Sequence, residues 1–369
     1  MTAAHAPALA RLIDQVQTAR AAQGRLRIVG GGTKDFYGNA LQGEPLDVRP
    51  LAGVSSYEPT ELVVTVRGGT PLVELEALLA EKNQHLAFEP PRLGLGGTVG
   101  GMVAAGLAGP SRAAAGSLRD HLLGATLLNG RGEVLSFGGQ VMKNVAGYDV
   151  SRVLAGSMGI LGVICEVSLK VLPRPLASAT LRFELDQTRA LAQLNTWGGL
   201  PLPISASALW NGTLVLRLAG ARAAVDAALL QLGGEAIEPG LAAAFWQGLR
   251  DQQDEFFDSA AKAVEGGAGL WRLGVAQTAA PITVPGEQLV EWGGAQRWLC
   301  TPAGAAQVRQ VASAAGGHAT LFRTNDRQAE RSAGVFHPLS APLARFHREL
   351  KRAFDPDHVF NPGRLVPDL

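Results

Sequence analysis

The sequence is poor in cysteine, in charge of one sign and in long apolar runs. Its 369 residues hold two cysteines, Cys165 and Cys300. They stand in no CxxC or other metal-ligand spacing. Two thiols are too few for a disulfide framework or a self-contained iron–sulfur site, so a reducing cytosol is the expected setting. Lys and Arg number 33 against 32 Asp and Glu, a net charge of +1, and no strong field draws nucleic acid or anionic lipid to such a chain. No segment approaches the roughly 20 apolar residues of a membrane span. The first residues, MTAAHAPALARLIDQVQTARAAQ, put Leu9, Leu12, Ile13 and Val16 at helical spacing, but Arg11 and Asp14 interrupt the apolar core that a signal peptide needs.

What the chain does have is core material and glycine, with 47% hydrophobic residues and 46 glycines. Its length makes two domains the natural expectation. In the first half, GRLRIVGGG and ELVVTVRGG read as strands running into turns. TPLVELEALLAEKNQHL reads as a helix with Pro71 at its first position and Leu72, Leu75, Leu78 and Leu79 on one face. HLLGATLLNGRGEVLSFGG reads as a hairpin whose positive φ is supplied by Asn129-Gly130. GILGVICEVSLKVLPRP is a long strand with Val163, Cys165, Val167, Leu169 and Val171 on one face and Glu166, Ser168 and Lys170 on the other, ended by Pro173 and Pro175. A domain boundary is expected there. The second half then runs β-α-β-β-α, which predicts an antiparallel sheet with helices on one side. No internal repeat is visible.

Two segments are glycine-rich: Ile28 to Gly38, IVGGGTKDFYG, and Glu89 to Gly109, EPPRLGLGGTVGGMVAAGLAG. A glycine cluster after a strand means either positive φ or close approach of another group, and a tight turn is the plain alternative. G-x-G-x-x-G fails from Gly30, where the sixth position is Asp35, and from Gly94, where it is Val99. No GxxxxGK[ST] occurs. Two loops whose N–H groups close on a pyrophosphate from different sides remain, each read as an anion-binding nest.

IVGGGTK, PPRLGLGGTVGG, GSLRDHLLGATLLNGRGEVLSFGG, KNVAGYDVSRVLAGSMGILGVICEVSLKVLP and FDPDHVFNPGRL, in this order, resemble the vanillyl-alcohol oxidase type of FAD-binding fold. Within it, the likeness is to the FAD-binding subunits of glycolate oxidases. The resemblance implies an α+β chain with a two-lobed FAD-binding domain at 1–174, a cap domain of antiparallel sheet and helices at 175–345, and a C-terminal return at 346–369. It also implies that Gly30, Gly31, Gly32, Thr33 and Lys34 cover the FAD pyrophosphate, with positive φ expected at Gly31. Thr98, Val99, Gly100 and Gly101 would form the opposing wall, and Gly106 would let the chain pass close to the flavin. Asp120 would contact the adenine half, Gly159, Gly162 and Ile164 would line the adenosine, and Asn361 and Gly363 would return to the flavin domain. Lys143, Asn144, Tyr148 and Asp149 either face the flavin or fix a loop. Thr33 and Lys34 as turn residues, Asp120 as a helix cap and Asn361 as a turn former are the plain alternatives.

Relatives with covalent FAD attach it through a histidine just after the first glycine loop. Thr33 and Lys34 stand there, so the resemblance implies non-covalent FAD. His85 and His121 sit in no attachment motif. The glutamate–histidine–glycine signature of catalytic relatives is missing, and His318 and His337 have no adjacent acidic ligand, so no metal site is expected. His347 and His358 fall in the tail, and Arg323 stands alone as a candidate for a carboxylate. The implied role is to hold FAD for electron transfer in a complex that oxidises a small 2-hydroxy acid. A second flavin subunit would carry the chemistry and an iron–sulfur subunit would remove electrons, in the cytoplasm or at the inner membrane through those partners. Three other readings stay open: a self-sufficient 2-hydroxy acid dehydrogenase, an enzyme like the UDP-N-acetylenolpyruvoylglucosamine reductase, and a flavin-free scaffold.

Overall fold

The computed structural model describes residues 6–139, 149–325 and 334–369. They form two compact units, one of Met1–Leu107, Ser117–Arg174 and Pro338–Leu369, the other of Ala108–Gly116 and Pro175–His337. The second unit therefore ends before 345 and gains a short stretch from the first half. Among the described residues no helix is long and apolar enough to cross a membrane. The fold class expected from sequence, with an antiparallel cap sheet, is the one observed.

In the first unit, helix Ala6–Ala21 buries Leu9, Leu12 and Val16 against a parallel pair, β1 (Leu26–Val29) and β2 (Glu44–Asp47). Its second sheet is antiparallel and five-stranded. Strands β3 (Val54–Glu58) and β4 (Val63–Arg67) precede a small ladder strand, β5 (Gln84–His85); then come β6 (Leu122–Leu128), β7 (Val134–Gly138), β8 (Val163–Lys170) and β5's partner, β9 (Leu172–Pro173). The order is β3-β4-β8-β6-β7. Strand β8 lies at the centre and is covered on both faces. Ser168, assigned from sequence to a polar face, is buried against the Thr65 hydroxyl at 2.9 Å. Burial pushes the Cys165 thiol up to about 12, so it is chemically inert.

The hairpin turn differs from its sequence reading. Positive φ falls at Gly132 (79°), not at Asn129-Gly130, and Asn129 shapes the turn by accepting from the N–H groups of Arg131 and Glu133. Gly130 is glycine because the tail lies against it: a Cβ there would stand 2.1 Å from Asp355 Oδ1.

That tail is locked by a buried ion pair. Helix Ala341–Phe354 carries Lys351, whose Nζ donates to Asp355 Oδ2 (2.7 Å), Ile160 O (2.7 Å) and Phe360 O (2.8 Å). Asp355 in turn accepts from the N–H groups of Val359 and Phe360. Both side chains are fully buried. The tail then pairs with β1, Leu26 N–H donating to Val359 O and Asn361 N–H to Leu26 O.

The second unit is one eight-stranded antiparallel sheet. Its strands are β10 (Ala177–Glu184), β11 (Ile204–Trp210), β12 (Thr213–Gly220), β13 (Glu235–Ile237), β14 (Gly269–Gly274), β15 (Glu287–Glu291), β16 (Gln296–Thr301) and β17 (His318–Thr324). They are ordered β13-β10-β12-β11-β15-β16-β14-β17. Read inward from either edge, each half gives its fourth, first, third and second strand. The topology is thus an internal duplication that no residue pattern in the sequence displays. Helices cover both faces, not one. Leu299 packs with Val308 of helix Ala305–Ala314, while its neighbour Trp298 meets Phe257 of helix Glu255–Glu265. Stretch 108–116 belongs here because Trp292 Nε1 donates to Gly109 O, Arg217 Nη2 donates to Ser111 Oγ, and Arg112 stacks over the Trp292 ring at 4.7 Å.

Glu291, at the end of β15, accepts from Trp298 Nε1 (2.6 Å) and Gln296 Nε2 (2.7 Å). Burial is the main cause that raises its carboxyl to about 7. The folded state thus holds a proton that the unfolded chain releases near 4.3. Stability from this group is full below that value and is lost as pH rises through about 7, with a total of about 4 kcal/mol. The expected result is that Glu291→Gln flattens this decline in urea-unfolding profiles; an unchanged pH profile would contradict the assignment.

Candidate functional site

The first unit contains a cleft where β1 runs out into the glycines. Along one edge of β1, Leu26 and Ile28 donate to the tail, Ile28 N–H reaching Asn361 Oδ1 at 2.8 Å. The next donor on that edge is Gly30. Among the described residues no protein acceptor takes the N–H of Gly30, Gly31, Gly32 or Thr33. Gly32 has φ 69°, the left-handed conformation that folds successive amides into an anion-binding concavity. Lys34 brings an ammonium group to the same lining, and Ile28, Leu41 and Met158 add apolar surface.

Gly30, Gly31, Gly32, Thr33, Lys34, Thr98, Gly100, Gly101, Gly159, Gly162, Ile164 and Asn361 all line this one cleft. The two glycine loops touch through their backbones. A Cβ on Gly31 would fall 1.5 Å from Gly96 O, and one on Gly30 would fall 2.5 Å from Thr98 Oγ1. Gly31 is therefore glycine for loop-to-loop contact. The positive φ expected there belongs to Gly32.

On the opposing wall the amides at the helix start are already used. Val99 N–H donates to Thr70 O, Gly100 N–H to Gly68 O and Gly101 N–H to Thr98 Oγ1, which caps helix Val99–Ala105. Donors already consumed inside the protein leave a smooth surface of small residues, which suits the close approach of a flat ligand. At this helix start the amides of Val99, Gly100 and Gly101 are therefore not donors to a ligand.

Val99, Gly106 and Asp120 do not line the cleft. The Val99 side chain is wholly buried. Gly106 ends the helix with φ 62°, and its missing Cβ makes room for Gly156 N at 2.7 Å, so the close approach it permits is to another loop. Asp120 Oδ2 accepts from Ser117 N–H and Oγ, both at 2.8 Å, capping helix Leu118–His121. Those bonds hold its carboxyl below the usual range. Lys143, Asn144 and Tyr148 lie outside the described residues; Asp149 pairs with Arg152 at 2.9 Å.

The sequence reading missed Arg364. Its guanidinium is buried and donates to the carbonyls of Asn39, Lys34, Asp35 and Tyr37. It thereby fixes the segment that follows the glycine loop. Asn361 acts alongside, bridging Ile28 N–H to Met158 O. The arginine next to Gly363 in NPGR was the available signal.

In the second unit, no group of three or more His, Cys, Asp or Glu able to hold a metal occurs among the described residues. Burial depresses the His318 and His337 imidazoles, and His337 Nδ1 accepts from Ala319 N–H. Arg323 reaches Gln252 Oε1 at 3.3 Å.

The family of FAD binding domains matches residues 7–138. The glycolate oxidase subunit GlcE of Escherichia coli (strain K12) is 47% identical over 97% of this chain and 97% of its own length. The chain belongs to the GlcE family of glycolate oxidase subunits. Glycolate oxidase subunit GlcD of Bacillus subtilis (strain 168) is 30% identical over 38% of this GlcE-family chain and 30% of its own length. An alkyldihydroxyacetonephosphate synthase structure shares the fold at 15% identity and TM-score 0.62, covering 95% of this chain and 74% of that one. The GlcE-family chain thus has an FAD-binding domain, and its cleft fits a dinucleotide: free amides for the pyrophosphate, one ammonium and a smooth facing wall.

Gly31→Ala tests the loop contact. Its Cβ has no room beside Gly96 O, so the loops must part. The expected result is a loss of about 1–3 kcal/mol of stability together with weakened FAD retention, read by thermal unfolding of the flavin-stripped chain and by flavin content. Lost flavin with unchanged stability would show that Gly31 faces the ligand instead.

Proposed function

We propose that this chain is the FAD-holding subunit of a glycolate oxidase, binding FAD non-covalently in its first unit and relaying electrons between partner subunits. The unpaired amides of Gly30 to Thr33 are the observation that carries the reading. They bind the pyrophosphate, with Lys34 adding charge, and Arg364 and Asn361 hold the loop in place. Bound FAD supplies hydride-accepting and electron-releasing chemistry. Thr33 and Lys34, standing where covalent relatives have histidine, offer no attachment nucleophile.

Oxidising a hydroxy acid needs groups that fix the carboxylate and take the hydroxyl proton. The described part of the second unit has no metal-binding cluster to supply them, so a second flavin subunit carries that step and an iron–sulfur subunit removes electrons. The assembly works in the cytoplasm and meets the inner membrane through those partners.

Acid precipitation is expected to release all flavin into the supernatant; flavin in the washed pellet would overturn non-covalent binding. Anaerobic mixing of the FAD-loaded chain with excess glycolate is expected to leave the flavin oxidised until the other subunits are added. Rapid bleaching by glycolate alone would make the chain a self-sufficient dehydrogenase.

A further inference from the structure

The second unit holds a cavity of about 560 Å³ between its sheet and the two helices Pro239–Asp251 and Glu255–Glu265. All of its lining residues belong to that unit, and its volume falls in the range of small-molecule sites, about 300–1,000 Å³. Three aromatic rings form its walls: Trp210 from the end of β11, and Phe245 and Phe256 from the helices. The rings are held in place. Trp210 Nε1 donates to Glu287 Oε1 at 2.9 Å, and Glu287 Oε2 accepts from Ser259 Oγ at 2.7 Å. Phe256 meets Trp210 edge-on at 6.4 Å, and Phe245 meets Trp246 edge-on at 4.9 Å.

The charge in the lining has one sign. Asp254, Glu255 and Asp258 are acidic; the one cation among the described lining residues, Arg182, is spent on Glu184 Oε1, to which its Nε and Nη2 donate at 2.9 and 2.7 Å. Asp254 caps its helix by accepting from Phe257 N–H at 3.1 Å, whereas Glu255 and Asp258 have no hydrogen-bond or ion-pair partner among the described residues. Carboxylates at a helix start are ordinary, but a cap needs neither a cavity in front of it nor aromatic walls around that cavity. Burial raises the Asp254 carboxyl, and the charges of Asp258 and Glu255 raise it further, so the three act on one place. They do not converge on a metal ion, since no group of three or more such ligands able to hold one occurs among the described residues.

We propose that this cavity binds a small organic cation, an ammonium or guanidinium group on an apolar body, with its head at Asp254, Glu255 and Asp258 and its body between Trp210, Phe245 and Phe256. Aromatic faces and carboxylates attract the same charge, and the rings also cover apolar surface. A single lysine or arginine side chain would leave most of the volume empty, which selects a free molecule over the side chain of a partner. The inference goes beyond the functional reading above and does not rest on it, because no lining residue belongs to the FAD-binding unit.

The test titrates the FAD-loaded full chain with phenethylamine and with its neutral analogue, phenethyl alcohol, followed by calorimetry and tryptophan emission. Phenethylamine is expected to bind saturably, about 10-fold or more tighter than the alcohol, and more weakly as salt is raised. Its emission change is expected to be lost in Trp210→Phe. Asp254→Asn with Asp258→Asn, which keeps a capping side chain at 254, is expected to weaken phenethylamine binding about 10-fold without loss of thermal stability or flavin. No saturable binding of phenethylamine, equal affinity for the alcohol, or parental affinity in the doubly substituted chain would each overturn the proposal. So would a parent chain that ignores phenethylamine while the double substitution weakens its binding to the purified oxidase subunits, which would assign the cavity to a partner's basic side chain.

Discussion

The backbone contact between Gly31 and Gly96 is the constraint on which the cleft depends. Two loops from distant parts of the chain meet without a side chain between them, because a Cβ on Gly31 would lie 1.5 Å from the Gly96 carbonyl oxygen. The contact spends one glycine on packing and leaves its neighbours for binding. Gly32 alone in the loop takes positive φ, and the amides of Gly30 to Thr33 find no acceptor among the described residues. A chain with a net charge of +1 can in this way hold a dianionic pyrophosphate largely with backbone dipoles.

The loop is held from behind by the tail. Lys351 and Asp355 form an ion pair with every other polar contact satisfied by backbone groups. Removing one member of such a pair typically costs about 3–5 kcal/mol, because the other is left buried and unpaired. From that anchor the tail runs beside β1 and delivers Asn361 and Arg364, each bonding to segments that line the cleft.

Much of this was legible in the sequence. The strand into GGG, the Pro71 helix, the β-α-β-β-α order and the spacing of the glycine motifs place the right segments around one cleft. The errors share a physical cause. A glycine in a sequence announces that a Cβ is forbidden but not what forbids it: Gly31, Gly106 and Gly130 meet protein backbone or a side chain, not ligand. Likewise an amide at a helix start looks available until its acceptor is known, and Thr70, Gly68 and Thr98 use up those of Val99 to Gly101. Asp120 is a cap because Ser117 lies three residues before it. The duplication in the second unit escaped because strand order is fixed by long-range pairing, which leaves no local signature. Arg364 escaped because its partners are carbonyls, which carry no residue identity.

Amide hydrogen exchange of the FAD-stripped and FAD-loaded chain tests the central claim most directly. If the loop after β1 supplies the pyrophosphate donors, the amides of Gly30 to Thr33 exchange freely in the stripped chain and become protected when FAD is added. Those of Val99 to Gly101 are protected in both states. New protection at Val99 to Gly101, with none at Gly30 to Thr33, would contradict the account.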